Sequence, residues 1–125
     1  MRMYLTVAAS MAVGIVVGGI AVQSLHAQGK KAYTVTENQV IDAKLAAEFA
    51  GRVTTAQAAA GGRNLNTGGG KVVALEGAAP ERVAITEWES LEKAEAFFKS
   101  KTWADMTPDR NKAVKTIRRY AVEQR

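Results

Sequence analysis

Residues 1–27 contain one charge, at Arg2, and the stretch Leu5–Val22 contains none. This leader limits what is left to fold. Gln23, Ser24, Leu25 and His26 lead to Ala27, a small residue suited to the −1 cleavage position, so residues 1–27 have the n/h/c layout of a secretory signal peptide. The expected product starts at Gln28, is exported, and is periplasmic or secreted. The alternative is an inner-membrane anchor over Leu5–Val22, since an apolar stretch of this length just spans a bilayer. Gly14 and Gly18 form a GxxxG pair, and Leu25 is large for the −3 position. The absence of cysteine removes the lipoprotein route.

Residues 28–125 remain as the body, and they include neither Cys nor His. That excludes disulfides, thiolate nucleophiles, Cys/His zinc sites, His-ligated haem and a Ser-His-Asp triad from the mature chain. No metal or cofactor is expected. Any chemistry would rest on carboxylates, Arg, Lys, Tyr and hydroxyls.

After a polar connector at 28–31, Tyr33–Glu37 alternates β-branched and aromatic residues and reads as a strand. Asp42 is a helix N-cap, and Leu45, Phe49, Val53, Ala56 and Ala60 recur at helical spacing as one apolar stripe, which Gly61-Gly62 ends. Arg63–Thr67, three glycines at 68–70, and Lys71–Glu76 read as one bulged strand or two short ones. A turn at Gly77–Glu81 precedes a central strand at Arg82–Trp88. Ser90 caps a second helix that buries Leu91, Ala94, Phe97 and Phe98. Trp103–Arg110 reads as a short third helical turn that Pro108 interrupts or ends, and Thr116–Val122 as the last strand.

The order is β-α-β-β-α-β, so residues 32–125 are expected to form an α+β ferredoxin-like domain. Its antiparallel sheet would carry both main helices on one face. The other face, with Val, Ile, Tyr and Trp candidates, has no helix left to cover it. A chain this size buries only about 60–65% of its unfolded surface alone, so a homodimer pairing two open faces is expected.

The runs Tyr33 to Asp42, Gly61-Gly62-Arg63, Leu75-Glu76-Gly77, Pro80-Glu81-Arg82-Val83, Glu87 to Glu92 and Ala96-Phe97-Phe98-Lys99-Ser100 resemble the domain of unknown function 1330 family, over roughly residues 32–123. The resemblance implies a dimeric α/β barrel built on a ferredoxin-like fold, and no agreed activity. The leader end Leu25-His26-Ala27-Gln28 is similar to exported members. Ala43 stands where many members open the first helix with proline, Phe97-Phe98 replaces a usual Trp-Tyr pair, and Trp103 replaces a common Tyr.

Gly68-Gly69-Gly70-Lys71-Val72 is not a phosphate loop. Leu65 stands where a Walker A motif opens with glycine, and Val72 where it needs Ser or Thr. Glu37 and Glu87 are the candidate general bases, since a carboxylate in a sheet interior has a raised pKa; Arg63 or Arg119 could instead hold one ionised as a structural pair. Arg63 is the candidate anion contact, because its planar fork suits carboxylates. Tyr33, Trp88 and Trp103, with Phe97 and Phe98, either line a pocket for a small aromatic or quinone-like molecule or pack as core.

Residues 110–125 hold six basic side chains and one acid, Glu123, while residues 28–109 sum to −1. Export argues against nucleic acid as a partner. A membrane-surface role for the basic segment is the alternative to a solvated face.

Three functional readings follow: a small-molecule-binding or scaffold module, a cofactor-independent monooxygenase or isomerase, and a membrane-surface protein. N-terminal sequencing of the exported product is expected to start at Gln28; retention of Leu5–Val22 would establish the anchor instead.

Overall fold

The computed structural model describes residues 29–125. The expected cleavage site and the leader, expected to form an apolar signal helix, lie outside the described residues. Within them no helix is long and apolar enough to cross a membrane.

Seven elements follow in order: β1 (Ala32–Val40), α1 (Ala43–Ala59), β2 (Gly62–Asn64), β3 (Arg82–Trp88), α2 (Leu91–Phe98), α3 (Lys101–Ala113) and β4 (Val114–Glu123). The strands form one sheet in the order β2-β3-β1-β4, with every neighbouring pair antiparallel. This is the ferredoxin-like arrangement. The helices pack on one side of the sheet.

Local signals set most of the boundaries. The Asp42 carboxylate accepts the Leu45 amide at 3.0 Å, and Ser90 and Ser100 cap α2 and α3 in the same way. At the end of α1, Gly61 takes φ +94°, which reverses the chain directly into β2. Gly62 then passes under the indole of Trp88, where a Cβ would stand 2.9 Å from Cζ3. Trp88 is 0% exposed, and its Nε1 donates to Thr34 Oγ1 at 2.9 Å. Ala32, Ala94, Phe97 and Trp103 complete this core.

Four expectations need correcting. First, no strand forms over Lys71–Glu76. Beyond β2, the Leu65 amide still donates to Ile85 O, but the Ile85 amide is taken by the Thr67 hydroxyl at 3.0 Å. Asn66 at φ 59° turns the chain away, and residues 65–81 run as a loop with Leu75 92% exposed. Second, Pro108 does not interrupt α3, which continues through it from Lys101 to Ala113. Trp103 and Ala113 anchor the two ends, and the Ile41 and Asp42 amides both donate to Ala113 O. That anchoring outweighs the single hydrogen bond that proline removes. The domain therefore has three helices on its covered face, not two.

Third, the buried stripe of α1 starts at Ala46, which packs on Ala113 and Val114, and not at Leu45, which faces outward. Fourth, β1 and β4 extend beyond the predicted runs. They pair along their length, with a bulge where the register shifts between Glu37 and Asn38.

Gly62→Ala is expected to destabilise the domain by about 1–3 kcal/mol, because the methyl must displace a packed indole. Urea denaturation followed by Trp fluorescence measures this.

Candidate functional site

Successive strand residues point to opposite faces, and here the parities are chemically distinct. Tyr33, Val35 and Glu37 of β1 face away from the helices, opposite Glu87, Ile85 and Val83 of β3 and Val122, Tyr120 and Arg118 of β4. The helix side of β1 carries Ala32, Thr34, Thr36 and Asn38. The aliphatic parity faces outward, and the threonines and Asn38 face inward.

The sequence candidates divide between these faces. Glu37 is on the open face, where Arg118 grips it through Nε at 3.0 Å and Nη2 at 2.7 Å. Glu87 is on the same face, held by Arg63 through Nε at 2.9 Å and through Nη2, and by Lys31 at 2.6 Å. The expected raised pKa is reversed in both. Hydrogen bonding from Arg118 lowers Glu37, and Lys31 and then Arg63 lower Glu87, against an opposing effect of burial. These are ionised, paired carboxylates, not poised bases.

Arg63 does contact an anion, but that anion is Glu87 of its own chain. Tyr33 sits on the open face, separated by the sheet from Trp88 and Trp103, so the five aromatics line no common pocket. Trp88 is buried in the core and backs a second, open pocket beside Lys31, Arg63 and Glu87, while Trp103 borders the interior cavity described next.

That cavity, of about 260 Å³, lies between α1 and the inner face of the sheet. Phe49, Phe98 and Trp103 supply its aromatic wall. Its polar wall includes Thr36, Asn38, Gln57, Arg82 and Arg119, and among the described residues no carboxylate borders it. Thr86 Oγ1 donates to Gln57 Oε1 at 3.0 Å, and Arg119 Nε donates to Thr36 Oγ1 at 3.1 Å. The guanidinium carbon of Arg119 lies 4.7 Å from the Trp103 ring centre and 4.9 Å from that of Phe98. Burial, with a smaller contribution from Arg110, pushes Arg119 down to about 10, so it keeps its charge at neutral pH.

Among the described residues two buried side-chain oxygens have no partner: Asn38 Oδ1, and Thr116 Oγ1 on the residue paired with Asn38 across the bulge. Sequence reasoning missed Asn38, Gln57, Arg82 and the inner role of Arg119. The signal was present in Thr34-Val35-Thr36-Glu37-Asn38, whose parities differ in polarity, and in Arg118-Arg119, adjacent residues that a strand must send to opposite sides.

The same division breaks up the basic C-terminal stripe: Arg110 lies over Trp103, Arg118 pairs with Glu37, and Arg119 enters the interior. Among the described residues no group of three His, Asp or Glu side chains is placed to hold a metal ion.

The family model for a domain of unknown function (DUF1330) matches residues 31–124. The chain belongs to this family. No curated protein matches it significantly. Among solved structures it is similar to HapK from Hahella chejuensis, with 14% identity, 75% of this chain and 92% of that one covered, and a TM-score of 0.47. It is also similar to a protein of Chloroflexus aurantiacus J-10-fl described as a candidate antibiotic biosynthesis monooxygenase, with 14% identity, coverage of 75% and 93%, and a TM-score of 0.42. The fold assignment rests on the observed strand order and pairing.

Both carboxylates are lowered below their ordinary value of 4.5 in the folded state. As pH falls below that value the unfolded chain takes up these protons before the folded chain does, so stability is lost. Acid titration monitored by circular dichroism is expected to show this loss, and Glu37→Gln with Glu87→Gln is expected to flatten it.

Proposed function

We propose that this domain is an exported small-molecule-binding module that works as a homodimer, with the ligand held between α1 and the sheet. One observation carries the reading. The inner sheet face, where a domain of this size needs apolar packing, presents beside its core two arginines, amides and hydroxyls around an open volume. Unpartnered buried polar groups cost about 1–3 kcal/mol each, and a bound molecule that meets them offsets that cost. Concave sites with aromatic walls and few polar groups are the usual form of a small-molecule pocket.

The dimer reading rests on the opposite face. Val35, Val83, Ile85, Tyr120 and Val122 share it with three ion pairs, and no element among the described residues covers them. Exposed apolar patches rimmed by charge are interaction surfaces. A second copy presents the same patch, which a two-fold axis makes self-complementary.

The enzyme alternative lacks a suitable group at the cavity. Its bordering residues include no carboxylate, Lys, His or Tyr among those described, and the two candidate bases are paired on the far face. The membrane-surface alternative loses its contiguous basic stripe.

Native mass spectrometry of protein taken from its own host is expected to show a dimer that retains a small organic molecule. A bare monomer would refute both parts. Tyr120→Asp, at the centre of the open face, is expected to give the monomer mass.

A further inference from the structure

We propose that the cavity selects a small organic carboxylate with an apolar body and a hydrogen-bond donor, its carboxylate on Arg119 and its donor on Asn38. The inference rests on the small-molecule-binding reading above and names the class of ligand.

Three features of Arg119 point to an external anion. It forms no ion pair, since the seven salt bridges among the described residues use neither Arg119 nor Arg82. Only its Nε is hydrogen-bonded, to Thr36, so the terminal amino groups remain available. The Phe98 and Trp103 rings, set nearly perpendicular to each other, both lie within 5 Å of the guanidinium carbon and limit where it can move, and the fork of an arginine suits a carboxylate. A desolvated guanidinium without a counter-charge is costly. In this chain nearby carboxylates exist, yet Glu37 and Glu87 are committed to Arg118, Arg63 and Lys31 on the other side of the sheet.

Asn38 supplies the second contact. It is 9% exposed, borders the cavity, and its Oδ1 accepts no bond. It stands two positions from Thr36 on β1, hence about 7 Å along the strand. Arg82, its cross-strand partner on β3, adds a second positive charge to the wall. Between these polar ends, Phe49, Val53 and Trp103 present apolar surface. A cavity of about 150 Å³ accommodates benzene, so this larger one has room for a ring with substituents at both ends.

The test uses three probes, with affinities measured by isothermal titration calorimetry on the dimeric mature domain: 4-hydroxybenzoate, benzoate and 4-hydroxybenzamide. The expected order is 4-hydroxybenzoate tightest, benzoate weaker, and the neutral amide at least tenfold weaker than the hydroxy acid. Arg119→Met, which keeps an apolar stem against the rings, is expected to abolish the preference for acid over amide. Its melting temperature without ligand is expected at or above that of the parent, because it removes an unpaired charge; an arginine retained for structure alone would lower it. Asn38→Leu is expected to bring 4-hydroxybenzoate down to the affinity of benzoate.

Equal binding of acid and amide, or an unchanged acid preference in Arg119→Met, overturns the carboxylate assignment and leaves the binding reading standing. Failure of all three probes to bind at millimolar concentration overturns both.

Discussion

A β-strand must send alternate side chains to opposite sides of its sheet, and in this domain the larger aliphatic residues were sent to the side without helices. Val35, Ile85 and Val83 point outward with Tyr120 and Val122, while Thr34, Thr36, Asn38, Thr86 and Arg119 point under the helices. Sliding one strand by a single position would reverse its set. The pairing prevents that at both ends of β1: the Trp88 indole bonds to Thr34 above Gly62, and Arg118 clasps Glu37 beside the bulge. The two faces then have different tasks. The inner one combines the core around Trp88 with polar groups bordering the cavity, and the outer one presents an apolar patch between ion pairs.

The ionic groups follow the same division. Each open-face carboxylate has its own cation or pair of cations, and its pKa is lowered. Among the described residues neither arginine on the inner face, Arg82 or Arg119, has an ion-pair partner. Exposed pairs such as Arg52–Asp109, which links α1 to α3, contribute about 0–1 kcal/mol. The pairs on Glu37 and Glu87 are better shielded, because long basic side chains lie over carboxylates that are themselves nearly buried. Covering this face with a second subunit would shield them further, while leaving Arg119 accessible only through the cavity.

Much of the fold was legible in the chain. The caps at Asp42 and Ser90, the stop at Gly61 and the alternation in Arg82–Trp88 are local signals, set by the hydrogen-bonding and steric properties of individual residues. The failures were where a tertiary contact overruled such a signal. Pro108 stays inside α3 because both ends of that helix are anchored, and Lys71–Glu76 stays a loop because the Thr67 hydroxyl occupies the Ile85 amide. The stripe of α1 opens at Ala46 and not at Leu45, because Ala46 fits against Ala113 and Val114, while Phe49, Val53, Ala56 and Ala60 pack on the core as expected.

The site was legible only in fragments. Composition alone showed that a body lacking Cys and His must rely on carboxylates, arginines and hydroxyls, and the element order alone implied a half-covered sheet. Period two also required Arg118 and Arg119 to part company, whatever the fold. Which of them would go inside, and whether Glu37 would be a base or a partner, depended on register: pairing of β1 with β4 sets Arg118 opposite Glu37 and Arg119 opposite Thr36. Register here relates the first strand of the domain to the last, with every helix between them, and no local pattern in either strand specifies it.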